Sequence, residues 1–219
     1  GEKMFIVEKK PKSIPAESYR VLRTNIQYSS IDKKIERILV TSSEPGEGKS
    51  TTSGNLALTF AQDEKKVLLI DCDLRKPSIH KKFKISNNLG LSNVILDKSK
   101  LSKALVKRSE YLDILPSGKV PPNPSELLGS KALEELLDEL DDVYDVIILD
   151  TPPVHAVTDA QILSTKVDGV LLVVRAEKTK KDSVIAAKES LQKVNANILG
   201  TVLNGGESSR GKYYYYYGN

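Results

Sequence analysis

Short, mostly apolar runs recur along the chain, at residues 37–41 (RILVT), 66–71 (KVLLID), 111–115 (YLDIL), 146–149 (VIIL), 169–174 (GVLLVV) and 198–203 (ILGTVL). Runs that stay apolar rather than alternate predict strands buried on both faces. Between them the apolar positions fall three or four apart. This predicts helices over 49–62, 131–140, 159–164 and 181–194, and short helical pieces within 87–107. In the 131–140 helix Glu134, Glu135, Asp138 and Glu139 mark the solvent side. Ahead of the first strand, Tyr19, Leu22 and Ile26 recur at helical spacing, predicting an amphipathic helix over 14–29. Residues 116–124 hold four prolines and read as a turn-rich connection. Strands alternating with helices give a doubly wound α/β domain around a mostly parallel sheet. No internal repeat interrupts it. The expected organisation is an extension over 1–12, one domain over 13–204, and a tail over 205–219.

Composition narrows the picture. The chain has 219 residues, 39% hydrophobic and 28% charged, which suits one globular domain. A net charge of +4 with dispersed lysines argues against nucleic acid as a partner. The single cysteine, Cys72, excludes an internal disulfide and a cysteine-rich metal site, and suits a reducing cytosol. No apolar run approaches the ~20 residues that span a bilayer, so any membrane association is expected through a partner or a surface.

Candidate chemistry sits at strand ends. After the first run comes Ser43-Glu44-Pro45-Gly46-Glu47-Gly48-Lys49-Ser50-Thr51. It matches the phosphate-binding loop G-x-x-x-x-G-K-[ST] with Ser43 in place of the first glycine. Gly46 and Gly48 allow backbone N–H groups to turn toward phosphates, Lys49 reaches the terminal phosphates, and Ser50 offers a hydroxyl to Mg²⁺. The nucleotide-binding set is therefore Gly46, Glu47, Gly48, Lys49, Ser50 and Thr51. Two further strands end in carboxylates, Asp71 with Asp73 and then Asp150, where ligands of open parallel sheets bind. Carboxylates and phosphates suffice for Mg²⁺, so His80 and His155 are expected to be packing or surface residues. Cys72, alternating with Asp71 and Asp73, is expected in the core. Arg75 and Lys76 either attract an anion or are simply solvated.

Five of the nine tyrosines, Tyr213, Tyr214, Tyr215, Tyr216 and Tyr217, stand together in the tail. Alone they favour neither a sticky aromatic end nor a set of presented hydroxyls; beside an ATP–Mg²⁺ site they read as phosphate acceptors.

These segments together resemble the bacterial tyrosine kinases tied to capsule and exopolysaccharide synthesis. The resemblance rests on S-x-x-P-G-E-G-K-S-T, I-D-x-D-x-R-x-P, I-L-D-T-P-P, the tyrosine cluster, Glu17-x-x-Arg20-x-x-Arg23-x-Asn25 and the PPNPSELL stretch at 121–128. It implies a fold related to the partition and cell-division-site ATPases. It also implies autophosphorylation in trans within a ring built through Glu17, Arg20, Arg23 and Asn25. By position, Lys49, Asp71, Asp73 and Asp150 are the expected catalytic residues. Ser50, Asp73 and Asp150 are expected on the metal, Asp71 is expected to accept the tyrosine proton, and Asn204 is expected against adenine. The resemblance is to the split Gram-positive form: a cytoplasmic kinase held at the inner membrane face by a separate transmembrane activator, with a phosphatase and exogenous protein substrates as further partners. A partition-type switch ATPase and a nucleotide-binding scaffold share the phosphate loop. Glu44, where the former carries a lysine, speaks against the first.

Overall fold

Alternate residues of each central strand enter opposite halves of the core, which is why the apolar runs have no polar face. Leu39, Leu68, Ile147 and Leu172 pack on one side, while Ile38, Val67, Val146 and Val173 pack on the other. The structure is a computed structural model that describes residues 4–205. The elements in order are α1 (Ile6–Lys9), α2 (Ile14–Gln27), β1 (Arg37–Ser42), α3 (Lys49–Gln62), β2 (Val67–Asp71), α4 (Ile79–Phe83), α5 (Leu91–Leu96), a 3-10 turn (Lys98–Lys100), α6 (Leu101–Ala104), β3 (Val106–Lys107), β4 (Leu112–Leu115), α7 (Pro124–Leu128), α8 (Lys131–Asp141), β5 (Val146–Asp150), α9 (Asp159–Ser164), β6 (Gly169–Arg175), α10 (Lys181–Gln192) and β7 (Ile198–Asn204).

The strands form one sheet in the order β3-β4-β2-β5-β1-β6-β7. All neighbours are parallel except β3, which pairs antiparallel with β4. β3 corrects the expectation of helical pieces through residue 107. Only Val106 and Lys107 pair, too few for a periodic signal. α4 and α7 are likewise too short to announce themselves; each opens near a proline or serine rather than on an apolar stripe. Elsewhere the expected elements form, ending within two residues of their expected bounds.

α5, α8, α9 and α10 supply the core on one face, and α3 and α4 on the other, with α1 and α2 laid over α3. The stretch expected as an extension is part of that packing. Phe5 and Val7 are buried, and Phe5 lies on Gly54 of α3 and against Phe83 of α4. Because the strands run parallel, the carboxyl ends of β1, β2 and β5 meet on one rim, which carries the site.

Candidate active site

The loop between β1 and α3 is held open by its own polar groups. Ser42 Oγ donates to the Glu44 carbonyl at 2.6 Å, and Thr52 N–H donates to the Gly48 carbonyl at 2.9 Å to begin the helix. Gly46 and Gly48 have φ of 75° and 92°. In that left-handed region a side chain is strained, and it is the conformation that turns successive N–H groups inward. Gly48 has a second reason to be glycine, since Asn204 at the end of β7 fills the adjacent space and donates to the Glu47 carbonyl at 3.2 Å. The structure thus places Asn204 against the loop backbone.

Glu47 is almost wholly buried and receives the Thr179 hydroxyl at 2.7 Å and Ser43 Oγ at 3.4 Å. It therefore ties the loop to the β6–α10 connection. Glu44 makes a parallel link, accepting from Ser183 Oγ at 3.0 Å. From the β6–α10 connection Lys178 Nζ stands beside Gly46, placing a cation at the loop in addition to Lys49 within it.

The three expected carboxylates converge. Asp71 and Asp150 are register partners in adjacent strands. Asp150 accepts from Ser50 Oγ at 2.7 Å and from Ser53 Oγ at 2.9 Å. Burial pushes its pKa up to about 6, against the pull of the Ser50 hydroxyl, Lys49 and the Ser53 hydroxyl. Asp71 is pushed well up, first by burial and then by the charge of Asp150, and its backbone donors oppose the shift. Those donors are Asp73 N–H, Ser78 N–H and Ile79 N–H, each at 3.1 Å. Asp71 thus anchors the turn leading into α4. Ser78 Oγ in turn is hydrogen-bonded to Ser50 Oγ. Asp73 is only partly buried and accepts from Lys76 N–H at 2.9 Å and Arg75 N–H at 3.3 Å.

Among the described residues no cluster of three His, Cys, Asp or Glu side chains is arranged to hold a metal unaided. The donor set is a hydroxyl and separated carboxylates facing a phosphate loop. That fits Mg²⁺, which keeps most of its waters and takes its other ligands from phosphates.

Cys72 is buried in the apolar core, as expected. His155 bonds to the Ser183 carbonyl and His80 is half-buried on α4; neither enters the carboxylate group. Arg75 keeps solvent exposure, with 38% of its side chain accessible, while its guanidinium is paired with the buried carboxylate of Asp159. Of the α2 residues, Glu17 pairs with Arg20 at 2.9 Å, Arg20 also reaches the Pro11 carbonyl, Arg23 donates to the Thr59 carbonyl on α3 at 2.8 Å, and Asn25 is exposed. None of the four lies at the phosphate loop. Tyr213–Tyr217 lie outside the described residues. Sequence reasoning missed Asp159, Ser125, Thr179 and Ser78. Asp159 at a helix start and Ser125 within PPNPSELL offered signals; Thr179 and Ser78 offered none.

Residues 35–199 match a family model described as an AAA domain. The chain is 47% identical over 218 residues to tyrosine-protein kinase YwqD of Bacillus subtilis, covering 99% of this chain and 92% of that protein. Among solved structures it is similar to the chimerical protein CapA2B2, with TM-score 0.87 and 42% identity over 93% of this chain and 90% of that one. It is also similar to the kinase domain of Escherichia coli tyrosine kinase ETK, with TM-score 0.89 and 35% identity over 94% of this chain and 81% of that one. More distant likeness to cobyrinic acid a,c-diamide synthase from Mycobacterium smegmatis, at 21% identity and TM-score 0.66 over 77% of this chain and 74% of that one, reflects the shared fold alone.

Proposed function

Because the chain belongs to the bacterial tyrosine kinases, we propose that it transfers a phosphoryl group from ATP to the tyrosines of its own cluster, Tyr213–Tyr217, within a ring of copies. The observation that carries the reading is the Ser50–Asp150 contact at 2.7 Å beside a phosphate loop whose glycines have left-handed φ. Phosphoryl transfer asks a protein mainly for positioning and charge compensation. The loop N–H groups and Lys49 supply both at the phosphates, and Lys178 adds positive charge beside Gly46.

Ser50, Asp150 and Asp73 are the groups that would hold Mg²⁺; when bound, the ion neutralises charge on the phosphate oxygens. Asp71 is assigned as acceptor of the tyrosine proton. Burial has raised its proton affinity, so protonating it costs less than protonating an ordinary carboxylate. It lies beneath the 73–78 turn, which must open for a hydroxyl to reach it. Asn204 is assigned to the base side of the nucleotide, supported by its place at the mouth of the loop.

The ring would form through the outward side of α2, where the Glu17 side chain is 59% exposed. Phosphates on neighbouring tyrosines, each about −1.5 to −2, repel one another and would loosen that ring. A transmembrane activator at the inner membrane face, a tyrosine phosphatase, exogenous protein substrates and control of capsular or exopolysaccharide synthesis complete the reading, supported by membership of the family.

The test mixes two variants. Lys49→Met keeps the tail but not the phosphate contact; a chain cut before Tyr213 keeps the site but not the acceptors. With ATP and Mg²⁺, phosphotyrosine on the Lys49→Met tail shows transfer in trans. If neither the mixture nor the intact chain gains tail phosphotyrosine, the reading fails.

A further inference from the structure

Asp159 is a carboxylate with no exposed surface, and its side-chain hydrogen bonds go to Arg75 and Ser125, outside the phosphate loop. It opens α9 and accepts Arg75 Nε on Oδ2 at 3.0 Å and Arg75 Nη2 on Oδ1 at 3.2 Å. Ser125 Oγ, at the start of α7, donates to Oδ1 at 2.7 Å, and Arg75 Nη2 also reaches Ser125 Oγ at 3.0 Å. Two parallel N–H···O contacts fix the plane of a guanidinium as well as its position. The other end of Arg75 is its backbone N–H, which with that of Lys76 donates to Asp73 Oδ1. One residue therefore has its side chain clamped to α7 and α9 and its main chain clamped to the partly exposed carboxylate of the site. Only the carboxylate is out of water, since the Arg75 side chain is 38% exposed, and an ion pair open to solvent on one side adds little stability. What this one adds is a fixed direction for the 73–76 turn.

We propose that Asp159 is a positioning residue for the phosphate site, acting through the Arg75 guanidinium to hold the N–H pair that orients Asp73, with Ser125 locking the PPNPSELL connection into the same network. The proposal rests on the reading of Asp73 as a carboxylate facing Mg²⁺–ATP.

Asp159→Asn keeps the shape but presents an amide N–H₂ to one guanidinium nitrogen, so the two-point contact is lost. Arg75→Lys cannot make it either, and Ser125→Ala removes one supporting bond. Two readouts are taken on the full chain. Hydrogen exchange of a peptide covering 73–78 is measured without metal, and the affinity of a fluorescent ADP analogue is measured with Mg²⁺ and with EDTA. In Asp159→Asn and Arg75→Lys, exchange in 73–78 becomes about 10-fold faster. The strengthening of ADP binding by Mg²⁺ falls about 10-fold, as for other groups that orient a ligand from behind. Binding in EDTA stays within about twofold, Ser125→Ala shows a smaller change in the same direction, and Arg75→Lys with Asp159→Asn is no worse than either alone. Wild-type exchange in both variants overturns the proposal, as does loss of ADP binding in EDTA to the same extent as in Mg²⁺. If Asp159→Asn does not fold, Arg75→Lys carries the same readouts. If the wild type itself shows no Mg²⁺ strengthening, the reading of Asp73 fails, and the exchange data alone decide the role of Asp159.

Discussion

Asn204 stands where a side chain on Gly48 would have to grow: a Cβ at residue 48 would lie 1.8 Å from Asn204 Nδ2. The last strand therefore forms a wall of the phosphate loop, and the glycine is required by that wall as well as by its φ of 92°. Gly48→Ala is expected to cost about 1–3 kcal/mol from backbone strain alone and to weaken nucleotide binding by at least about 10-fold through the displaced loop. Adding Asn204→Ala removes the clash but not the strain, so the double variant recovers part of the stability. Chemical unfolding and nucleotide titration of the three variants check this; simple additivity would refute the contact.

The buried carboxylates make stability depend on pH in an unusual direction. Asp150 has a folded pKa of about 6 against an ordinary 3.8, so between those values the folded state binds more protons than the unfolded one. Its contribution is full below about pH 4 and is lost as pH rises through about 6. Asp71 shifts in the same direction. Asp150→Asn lacks the loss, so relative to wild type it gains up to about 3 kcal/mol between about pH 4 and 7. The absolute difference also carries the disturbed Ser50 and Ser53 bonds; the pH-dependent part does not. Urea unfolding of nucleotide-free protein at both ends of that range measures it, and a constant difference would contradict the shift.

Nucleotide with Mg²⁺ should show the opposite trend. Compensation by a cation needs Asp150 ionised, so affinity falls as pH drops below about 6, and the fall is absent in Asp150→Asn. Titration of a fluorescent nucleotide across that range reads it directly.

Phe5 is 4% exposed, its ring centroid is 4.5 Å from that of Phe83, and a Cβ on Gly54 would come within 2.2 Å of it. Phe5→Ala is expected to cost about 3 kcal/mol, the range for emptying an aromatic site in a packed core. Gly54→Ala is expected to be harmful in the wild type and far milder beside Phe5→Ala. Thermal unfolding of the pair and of the double variant decides the point.

Arg37 lies at the opposite end of β1 from the phosphate loop, roughly 16 Å from Ser42 along an extended strand. It donates to Asp141 at 2.6 and 3.0 Å, to Asp138 at 2.6 Å and to the Lys166 carbonyl at 3.0 Å. Arg37→Ala should cost about 2 kcal/mol by leaving half-buried Asp141 without its cation, with nucleotide affinity unchanged within about twofold. A large loss of affinity at unchanged stability would show that this end of the sheet reaches the site.

The strands were legible because burial on both faces removes polar alternation, which any reader of residues 146–149 or 169–174 can see. The phosphate loop was legible because its chemistry needs glycines at fixed spacing before Lys49. β3 was not, since pairing of Val106 and Lys107 depends on β4 lying alongside. The burial of Phe5 and Val7 was not legible either. Four residues of helix carry no pattern until α3 offers Gly54 and Asn55 to pack against.

By itself the sequence determined the parallel α/β sheet, the phosphate loop and the strand-end positions of Asp71, Asp73 and Asp150, which follow from local spacing, and it carried motifs that resemble those of a kinase family. Only the tertiary structure decided which groups meet: Asp71 beside Asp150 in register, Asn204 against Gly48, Thr179 on Glu47 and Arg75 on Asp159. Those contacts join residues far apart in the chain. They exist because parallel strands gather their carboxyl ends on one rim, and the order in which strands lie side by side is a property of the packed sheet, which no single segment encodes.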